Sequence, residues 1–279
     1  MPSARQEVAV AEAGGKVYVI GGFGEGYEAT GAVHVYDPAS DRWESITPLP
    51  IAVHHPAAVG WSGKVYVVGG FTGRVFQTPQ ASLFEYDPAS GAWRQLASML
   101  TARGALAAAV LNRRIHALGG SAERALNAHE VYDPLTDRWS RANAMPTARD
   151  HLAAAALGGK LYAIGGRRSF FGEKYGNVEI YNPGEDSWRT GAPLPTARGG
   201  LAAAPLNGRI YVFGGELPFT IFNATEMYDP ASDRWTLKAA MPTARHGMGA
   251  VAVGRRIYVA GGGIRPGPGR SNVLEAFEP

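Results

Sequence analysis

The stretch PTARDHLAAAALGGKLYAIGG, residues 146–166, holds two short apolar runs joined by a glycine turn and closed by a glycine pair. The runs cover 152–156 and 161–164, which is the usual length of a β-strand. Between them, Gly158-Gly159 supplies the positive φ angles that a tight two-residue hairpin turn requires. The stretch therefore predicts a β-hairpin of two antiparallel strands.

The residues that follow predict two more strands in the same unit. Val178-Glu179-Ile180-Tyr181 predicts a third strand, and Asn182-Pro183 predicts a turn in which proline presets φ. A fourth strand is then centred on Trp188. Four strands joined in chain order by tight turns form an antiparallel meander. Such a sheet cannot bury both of its faces alone, so neighbouring sheets must pack against it.

The same pattern occurs six times, each time with a glycine pair after the second strand. The pairs are Gly21-Gly22, Gly69-Gly70, Gly119-Gly120, Gly165-Gly166, Gly214-Gly215 and Gly261-Gly262. Successive first glycines are 48, 50, 46, 49 and 47 residues apart, which indicates a repeat architecture. We expect an all-β, six-bladed β-propeller of four-stranded antiparallel blades. It should form one domain over 1–279, with repeats starting near residues 5, 53, 103, 149, 198 and 245.

The repeats resemble those of the Kelch family. The shared features are the glycine pair, a turn of the Tyr-Asp-Pro type and a tryptophan seven residues after the tyrosine. The last two occur as Tyr36/Trp43, Tyr86/Trp93, Tyr132/Trp139, Tyr181/Trp188 and Tyr228/Trp235. The resemblance covers nearly the whole chain and implies a Kelch propeller, a fold that hosts many different roles.

The sixth repeat departs from this pattern at its end. It stops at Phe277-Glu278-Pro279, which corresponds to the tyrosine turn, and no tryptophan strand follows. We therefore expect the sixth blade to lack its outermost strand, either as an open edge or because the chain is cut from a longer one. An exposed edge strand of this kind could pair with another chain.

Bulk composition narrows the class of protein. Of the 279 residues, 46% are hydrophobic and 18% are charged, as in a globular β-protein. The absence of cysteine excludes disulfides, thiolate metal sites and cysteine nucleophiles, and it fits a cytoplasmic protein. No apolar run is long enough to predict a membrane span, and no dense basic run predicts nucleic-acid binding. We expect a monomer without a cofactor.

The repeats vary in length at one place. The opening position of each repeat always lies 16 residues before the first glycine, whereas the first glycine lies 13 to 17 residues before the tyrosine. In a meander, this variable segment and the opening position share one end of the sheet. Both should therefore surround one mouth of the propeller, where binding sites usually form. Aromatic side chains in these segments are predicted ligand contacts, namely Phe76, Phe171 and Phe219.

Arginine occupies the opening position in five repeats. These arginines are Arg5, Arg103, Arg149, Arg198 and Arg245, and the second repeat has Val53 instead. Five guanidinium groups around one mouth favour an anionic ligand through charge-assisted hydrogen bonds. The resemblance implies the same role, since Kelch adaptors hold acidic peptides with arginines at matching positions. The alternative is a structural role, in which these arginines stabilise the loops.

Glutamate recurs two residues before the tyrosine or its equivalent in four repeats. These residues are Glu130, Glu179, Glu226 and Glu275. Recurrence with the repeat predicts a framework hydrogen bond and not a catalytic role.

Histidine is concentrated just after the opening position. His54, His55, His151 and His246 lie there in the second, fourth and sixth repeats, and Glu7 occupies the same region of the first. Imidazoles from alternate blades could meet at the axis and form a metal or acid–base cluster, with Glu7 or Asp150 beside them. Hydrogen bonding to backbone or to channel water is the simpler interpretation. We therefore predict ligand-binding roles for these histidines and no metal site.

The leading functional prediction is a non-catalytic recognition module that binds an acidic peptide or protein at the arginine- and aromatic-lined mouth. A first alternative is an enzyme that resembles sialate mutarotases and acts on a carboxylated sugar. In that case arginine would hold the carboxylate, and His54 or His151 with Glu7 would move protons. A second alternative is a scaffold that self-associates through the edge of the sixth blade.

Overall fold

The computed structural model of the chain describes residues 1–74 and 77–279. This part of the chain forms β-sheets arranged around an axis, together with one short 3-10 helix at Glu25–Tyr27. Among the described residues, no helix has the length and apolar character needed to cross a membrane.

The strands follow the repeats in chain order. Blade 1 contains β1 (Ala9–Ala13), β2 (Lys16–Ile20), β3 (Val33–Asp37) and β4 (Arg42–Ile46). Blade 2 contains β5 (Ala57–Trp61), β6 (Lys64–Val68), β7 (Leu83–Asp87) and β8 (Ala92–Leu96). Blade 3 contains β9 (Ala107–Leu111), β10 (Arg114–Leu118), β11 (His129–Asp133) and β12 (Arg138–Arg141). Blade 4 contains β13 (Ala153–Leu157), β14 (Lys160–Ile164), β15 (Val178–Asn182) and β16 (Ser187–Gly191).

The last two blades differ in detail. Blade 5 contains β17 (Ala202–Leu206), β18 (Arg209–Phe213), β21 (Thr225–Asp229) and β22 (Arg234–Leu237), and its loop carries a small ribbon of β19 (Glu216–Leu217) and β20 (Thr220–Ile221). Blade 6 contains β23 (Gly249–Val253), β24 (Arg256–Ala260) and β25 (Leu274–Phe277). Over the described ranges, the first five blades are four-stranded and the sixth is three-stranded. The predicted six-bladed propeller with a short sixth blade is confirmed, while pairing of its outer edge with another chain stays a prediction.

The first strand of each blade lies beside the axis. The six first strands pack side by side in a closed circle, in which β1 contacts both β5 and β23. They line a central channel of about 280 Å³. Their alanine content follows from this position, because small side chains allow six strands to approach one axis.

The core lies between neighbouring blades. Val33 and Val35 of blade 1, for example, belong to one buried cluster with Val65, Val67 and Tyr86 of blade 2. Each sheet therefore covers an apolar face of the next, which removes from water the surface that a single meander would expose.

The glycine pairs form the junctions between blades. Both glycines of each pair have positive φ, and the second donates its N–H to the carbonyl of the opening residue of the next blade, as Gly120 does to Arg149 at 3.0 Å. A Cβ on Gly119 would lie 2.5 Å from the same Arg149 oxygen. Glycine thus suits these positions for two reasons: it adopts positive φ without strain, and it has no Cβ to clash with the neighbouring blade.

The Tyr–Trp spacing creates a second junction, which we call the outer latch. In blade 3, Trp139 Nε1 donates to the Ala97 carbonyl of blade 2 at 2.8 Å. The Ala97 N–H donates to Asp137 Oδ1 at 2.9 Å, and the Tyr132 hydroxyl donates to the same oxygen at 2.7 Å. The latch recurs with Tyr181, Asp186, Trp188 and Asn143, and again with Tyr228, Asp233, Trp235 and Ala192.

Blade 2 has glycine where the latch has aspartate, and this suggests a stabilising substitution. Gly91 has a φ of +66°, close to the +50° of Asp137, and a Cβ there would meet Tyr86 Oη at 3.9 Å and nothing closer. Gly91→Asp should therefore complete the latch to Tyr86 and Thr47. The two new hydrogen bonds are worth about 1 kcal/mol each. They outweigh the cost of the left-handed backbone, which is lower for aspartate than for alanine because the aspartate side chain forms local hydrogen bonds, so the melting temperature should rise by about 2 °C.

Gly91→Ala is the matched control for this change. Alanine makes no latch and pays about 1–2 kcal/mol for the left-handed backbone, so it should lower the melting temperature measured by calorimetry. Equal melting temperatures for the alanine and aspartate variants would contradict the proposed latch.

Candidate functional site

A ring of backbone hydrogen bonds closes one end of the axial channel. Each blade contributes the second residue after its opening position, and these are Glu7, His55, Ala105, His151, Gly200 and Gly247. Each N–H donates to the carbonyl of the ring member in the preceding blade, at 2.7–2.9 Å, and Glu7 completes the circle by donating to Gly247. All six residues have φ between +51° and +66°. We call this arrangement the inner ring.

The side chains around the inner ring come from two sequence positions. Within each blade, the residue after the opening position pairs through the backbone with the residue after the glycine pair, as Asp150 does with Arg167 and Gly199 with Glu216. Arg167 and Glu216 therefore reach the axis beside the predicted histidines. The sequence analysis did not single them out, although the constant spacing that separates these two positions was a usable signal.

Blades 4 and 5 supply one half of a buried polar network. Arg167 donates from Nε to Asp150 Oδ1 at 3.3 Å, from Nη1 to Glu216 Oε1 at 2.7 Å and from Nη2 to His151 Nε2 at 2.8 Å. His151 Nδ1 lies 2.6 Å from Asp150 Oδ1. The four side chains are buried, so their charged groups depend on one another for stabilisation.

Blades 1, 2 and 6 supply the other half. Glu7 Oε2 lies 3.2 Å from His55 Nε2, and Glu7 Oε1 lies 3.4 Å from His246 Nδ1. His54 and His55 approach through their Nδ1 atoms at 2.6 Å. His246 Nδ1 also lies 3.5 Å from Glu216 Oε2, which joins the two halves. We call these eight residues the axial cluster: Glu7, His54, His55, Asp150, His151, Arg167, Glu216 and His246.

Burial and neighbouring charges set the protonation states of the axial cluster. Burial lowers the pKa of His55 well below its usual value and lowers the pKa of His54 to about 4. Burial opposes ionisation of Glu7, but His55, His246 and His151 together outweigh it and hold the pKa of Glu7 well below its usual value. For His246, burial is outweighed by the hydrogen bond and charge of Glu7 and by the charge of Glu216, so its pKa is raised. The surroundings thus favour the neutral form of His54 and the ionised form of Glu7.

The opening arginines lie inside the wall and not on its surface, which corrects the prediction that a ligand meets them directly. All five are at most 1% exposed. Arg149, for example, donates from Nη1 to Glu179 Oε2 at 2.7 Å and from Nη2 to the Ala163 carbonyl at 3.0 Å. Arg103, Arg198 and Arg245 pair in the same way with Glu130, Glu226 and Glu275, and Arg5 contacts His34. The framework role predicted for the glutamates is the observed one, and the arginines share it.

The second blade differs from the others at both positions of this pair. Where the other blades have arginine, blade 2 has Val53, and where they have glutamate or histidine, it has Phe84. Both side chains are buried in one apolar cluster. An ion pair in the wall is thus replaced as a whole by an apolar pair.

The six loops between glycine pair and third strand form the face around the channel mouth, as predicted. We call this the loop face; its described residues are 23–32, 71–74, 77–82, 121–128, 167–177, 216–224 and 263–273. Phe171 and Phe219 are 77% and 85% exposed there, and their ring centroids lie 6.5 Å apart. Phe76, the third aromatic residue predicted to contact a ligand, lies outside the described residues.

A cleft crosses the loop face between blades 3 and 4. Its volume is about 920 Å³, and Arg124, Asp150, Arg167, Arg168 and Phe170 contribute to its lining. It lies over the shortest of the six loops, because Tyr132 follows Gly119 by 13 residues. Arg124 and Arg168 are exposed in it, as is Glu123.

Comparison with known proteins agrees with this architecture. The family described as "KLHDC2/KLHL20/DRC7 Kelch-repeats domain" matches residues 1–145 and 141–263. Kelch-like protein 38 of Rattus norvegicus is 49% identical over 41 residues, which are 15% of this chain and 7% of that protein. The chain belongs to the Kelch-repeat family.

Proposed function

We propose that the chain is a recognition module that binds an acidic peptide or protein segment in the cleft of the loop face. Kelch propellers are typically protein-interaction modules and are mostly non-enzymatic. The observation that carries the proposal is the cleft itself, which the exposed Arg124 and Arg168 line together with the half-buried Phe170.

The buried arginines have a supporting role in this proposal. Their guanidinium groups fix the backbone from which the loops emerge, whereas the exposed arginines are available to carboxylates. Arginine with aromatic residues is the composition of binding hot spots. Phe171 and Phe219 would cover apolar parts of the segment while Arg124 and Arg168 pair with its carboxylates.

A random peptide library displayed on phage and selected on the purified protein tests this proposal. We expect the selected peptides to be enriched in aspartate and glutamate. Their affinity, measured by fluorescence polarisation, should fall by about tenfold or more in the double variant Arg124→Glu/Arg168→Glu, since each charge-assisted hydrogen bond is worth about 1.5–3 kcal/mol.

The double variant Arg113→Glu/Arg255→Glu is the matched control. Arg113 and Arg255 are exposed in the turns β9–β10 and β23–β24, away from the loops, and the two substitutions make the same change of charge. Affinity should be unchanged in this variant. Selected peptides without acidic residues, or equal losses in the control and in Arg124→Glu/Arg168→Glu, would contradict the proposal.

A further inference from the structure

His55 is held at one ring nitrogen by His54, and its other ring nitrogen faces Glu7. His54 Nε2 lies 3.3 Å from the Arg74 carbonyl, and the Nδ1 atoms of His54 and His55 lie 2.6 Å apart. His55 Nε2 lies 3.2 Å from Glu7 Oε2.

His151 is held through its Nδ1 atom by a different partner. Its Nδ1 lies 2.6 Å from Asp150 Oδ1, so Nδ1–H donates to the carboxylate. The lone pair is on Nε2, which accepts from Arg167 Nη2 at 2.8 Å. His55 and His151 thus each have Nδ1 in contact with a neighbouring side chain, as metal-binding histidines do, while Nε2 faces Glu7 in one case and Arg167 in the other.

The charges of the axial cluster are unequal. Glu7, Asp150 and Glu216 supply three carboxylates, whereas Arg167 supplies one guanidinium, and all four side chains are at most 8% exposed. Buried charges are normally paired or coordinate metals, and a bound divalent cation would reduce this excess of carboxylates.

We propose that Glu7, His55 and His151 form a binding site for one divalent transition-metal ion at the inner ring of the propeller. One oxygen of Glu7 and one nitrogen from each histidine lie within 4.8 Å of one another, and all three residues are buried. Two imidazoles and one carboxylate are a ligand set that Zn²⁺ adopts, with bonds of about 2.0–2.2 Å. Ligands of such an ion lie about 3.3–3.6 Å apart, close to the 3.2 Å between Glu7 and His55.

The surroundings suit an ion in two further respects. Glu7 and His55 line a cavity of about 310 Å³ that also reaches Phe23 and Tyr27 of the loop face, which gives the ion a route of entry. Arg167 would give up its contact with His151 and keep its bonds to Asp150 and Glu216. His54 and Asp150 would act as the outer partners that orient the two ligating imidazoles.

Titration of the chelator-treated protein with Zn²⁺ in a calorimeter, and with Co²⁺ in an absorption spectrometer, tests the site. We expect one ion per chain and a visible Co²⁺ band. Loss of an outer partner of a metal ligand weakens metal binding by about 10–100-fold. Because His55 and His151 are proposed as direct ligands, His55→Gln and His151→Gln should each weaken binding by more than this. Zn²⁺ should also shift the ring signals of His55 and His151 in a nitrogen-15 spectrum, a readout that needs only the unmodified chain.

His116→Gln is the matched control, because it removes a buried imidazole from a different histidine pair, with His129 in blade 3. It should leave the affinity for Zn²⁺ unchanged, and circular dichroism checks that every variant is folded. Absence of saturable binding by the unmodified chain would mean that a proton bridges Glu7 and His55, and would overturn the proposal. Equal affinity in the unmodified chain and in His151→Gln, or unshifted histidine signals, would do the same.

Discussion

Replacing Arg149 by valine should lower the free energy of unfolding by about 3–5 kcal/mol, because it leaves the Glu179 carboxylate buried without its partner. Arg149 is fully buried and Glu179 nearly so, and their charged groups meet at 2.7 Å. Water is excluded from both groups, so the lost interaction has no replacement. Urea unfolding followed by circular dichroism measures the loss.

The chain itself supplies the compensating change. Blade 2 carries Val53 and Phe84 at the two corresponding positions, so the double variant Arg149→Val/Glu179→Phe copies that pair into blade 4. An apolar pair can replace a buried ion pair with little or no net loss, and the double variant should recover most of the stability. A double variant no more stable than Arg149→Val would show that the two residues are not coupled.

Gly119→Ala should destabilise the protein by about 3 kcal/mol or more, combining the cost of a left-handed alanine, about 1–2 kcal/mol, with overpacking, about 1–3 kcal/mol. The new Cβ would lie 2.5 Å from the Arg149 carbonyl oxygen. That oxygen also accepts the Gly120 N–H of the blade junction. Relief of the clash therefore requires the third and fourth blades to move apart.

Gly158→Ala separates the two costs. Gly158 has a φ of +58°, almost equal to the +57° of Gly119, but a Cβ there meets nothing within 4 Å. In the same urea experiment, Gly158→Ala should lower the free energy of unfolding only by the cost of the left-handed backbone. If both alanine variants lose the same stability, the close approach at the glycine pair is unimportant.

The sequence was sufficient for the strands and the blade count because the signals there are local and repeated. The turn at Gly158-Gly159 and the glycine pair at 165–166 bracket a predicted strand, and the structure places β14 (Lys160–Ile164) between them. The loop face was also predictable, since one segment alone varies in length. Six repetitions of each signal made these predictions secure.

The partners of the opening arginines were harder to predict because they are distant in sequence. Arg149 and Glu179 were both singled out, but 30 residues separate them and nothing local connects the two. Blade 2 replaces both residue types together, with Val53 and Phe84, and this joint replacement was the available sign that the arginine and the glutamate are in contact. Without it, a row of arginines is expected at the surface, where this residue type is usually found.

Two members of the axial cluster were missed for a different reason. Arg167 and Glu216 follow their glycine pairs, where the other blades have Phe23, Phe71, Ser121 and Gly263. A position without a recurring residue type gives no signal of its own. The constant spacing from the position after the opening residue was the one usable signal, and the strand register of the structure shows that it brings the two positions together.

The inner ring has a consequence for the size of the propeller. Each member uses one donor and one acceptor, and the circle closes when the sixth hydrogen bond, from Glu7 to Gly247, returns to the start. Its diameter is therefore fixed by the number of members. A chain with one repeat duplicated would need a seventh hydrogen bond and a wider circle, so the ring ties the width of the axial channel to the number of blades.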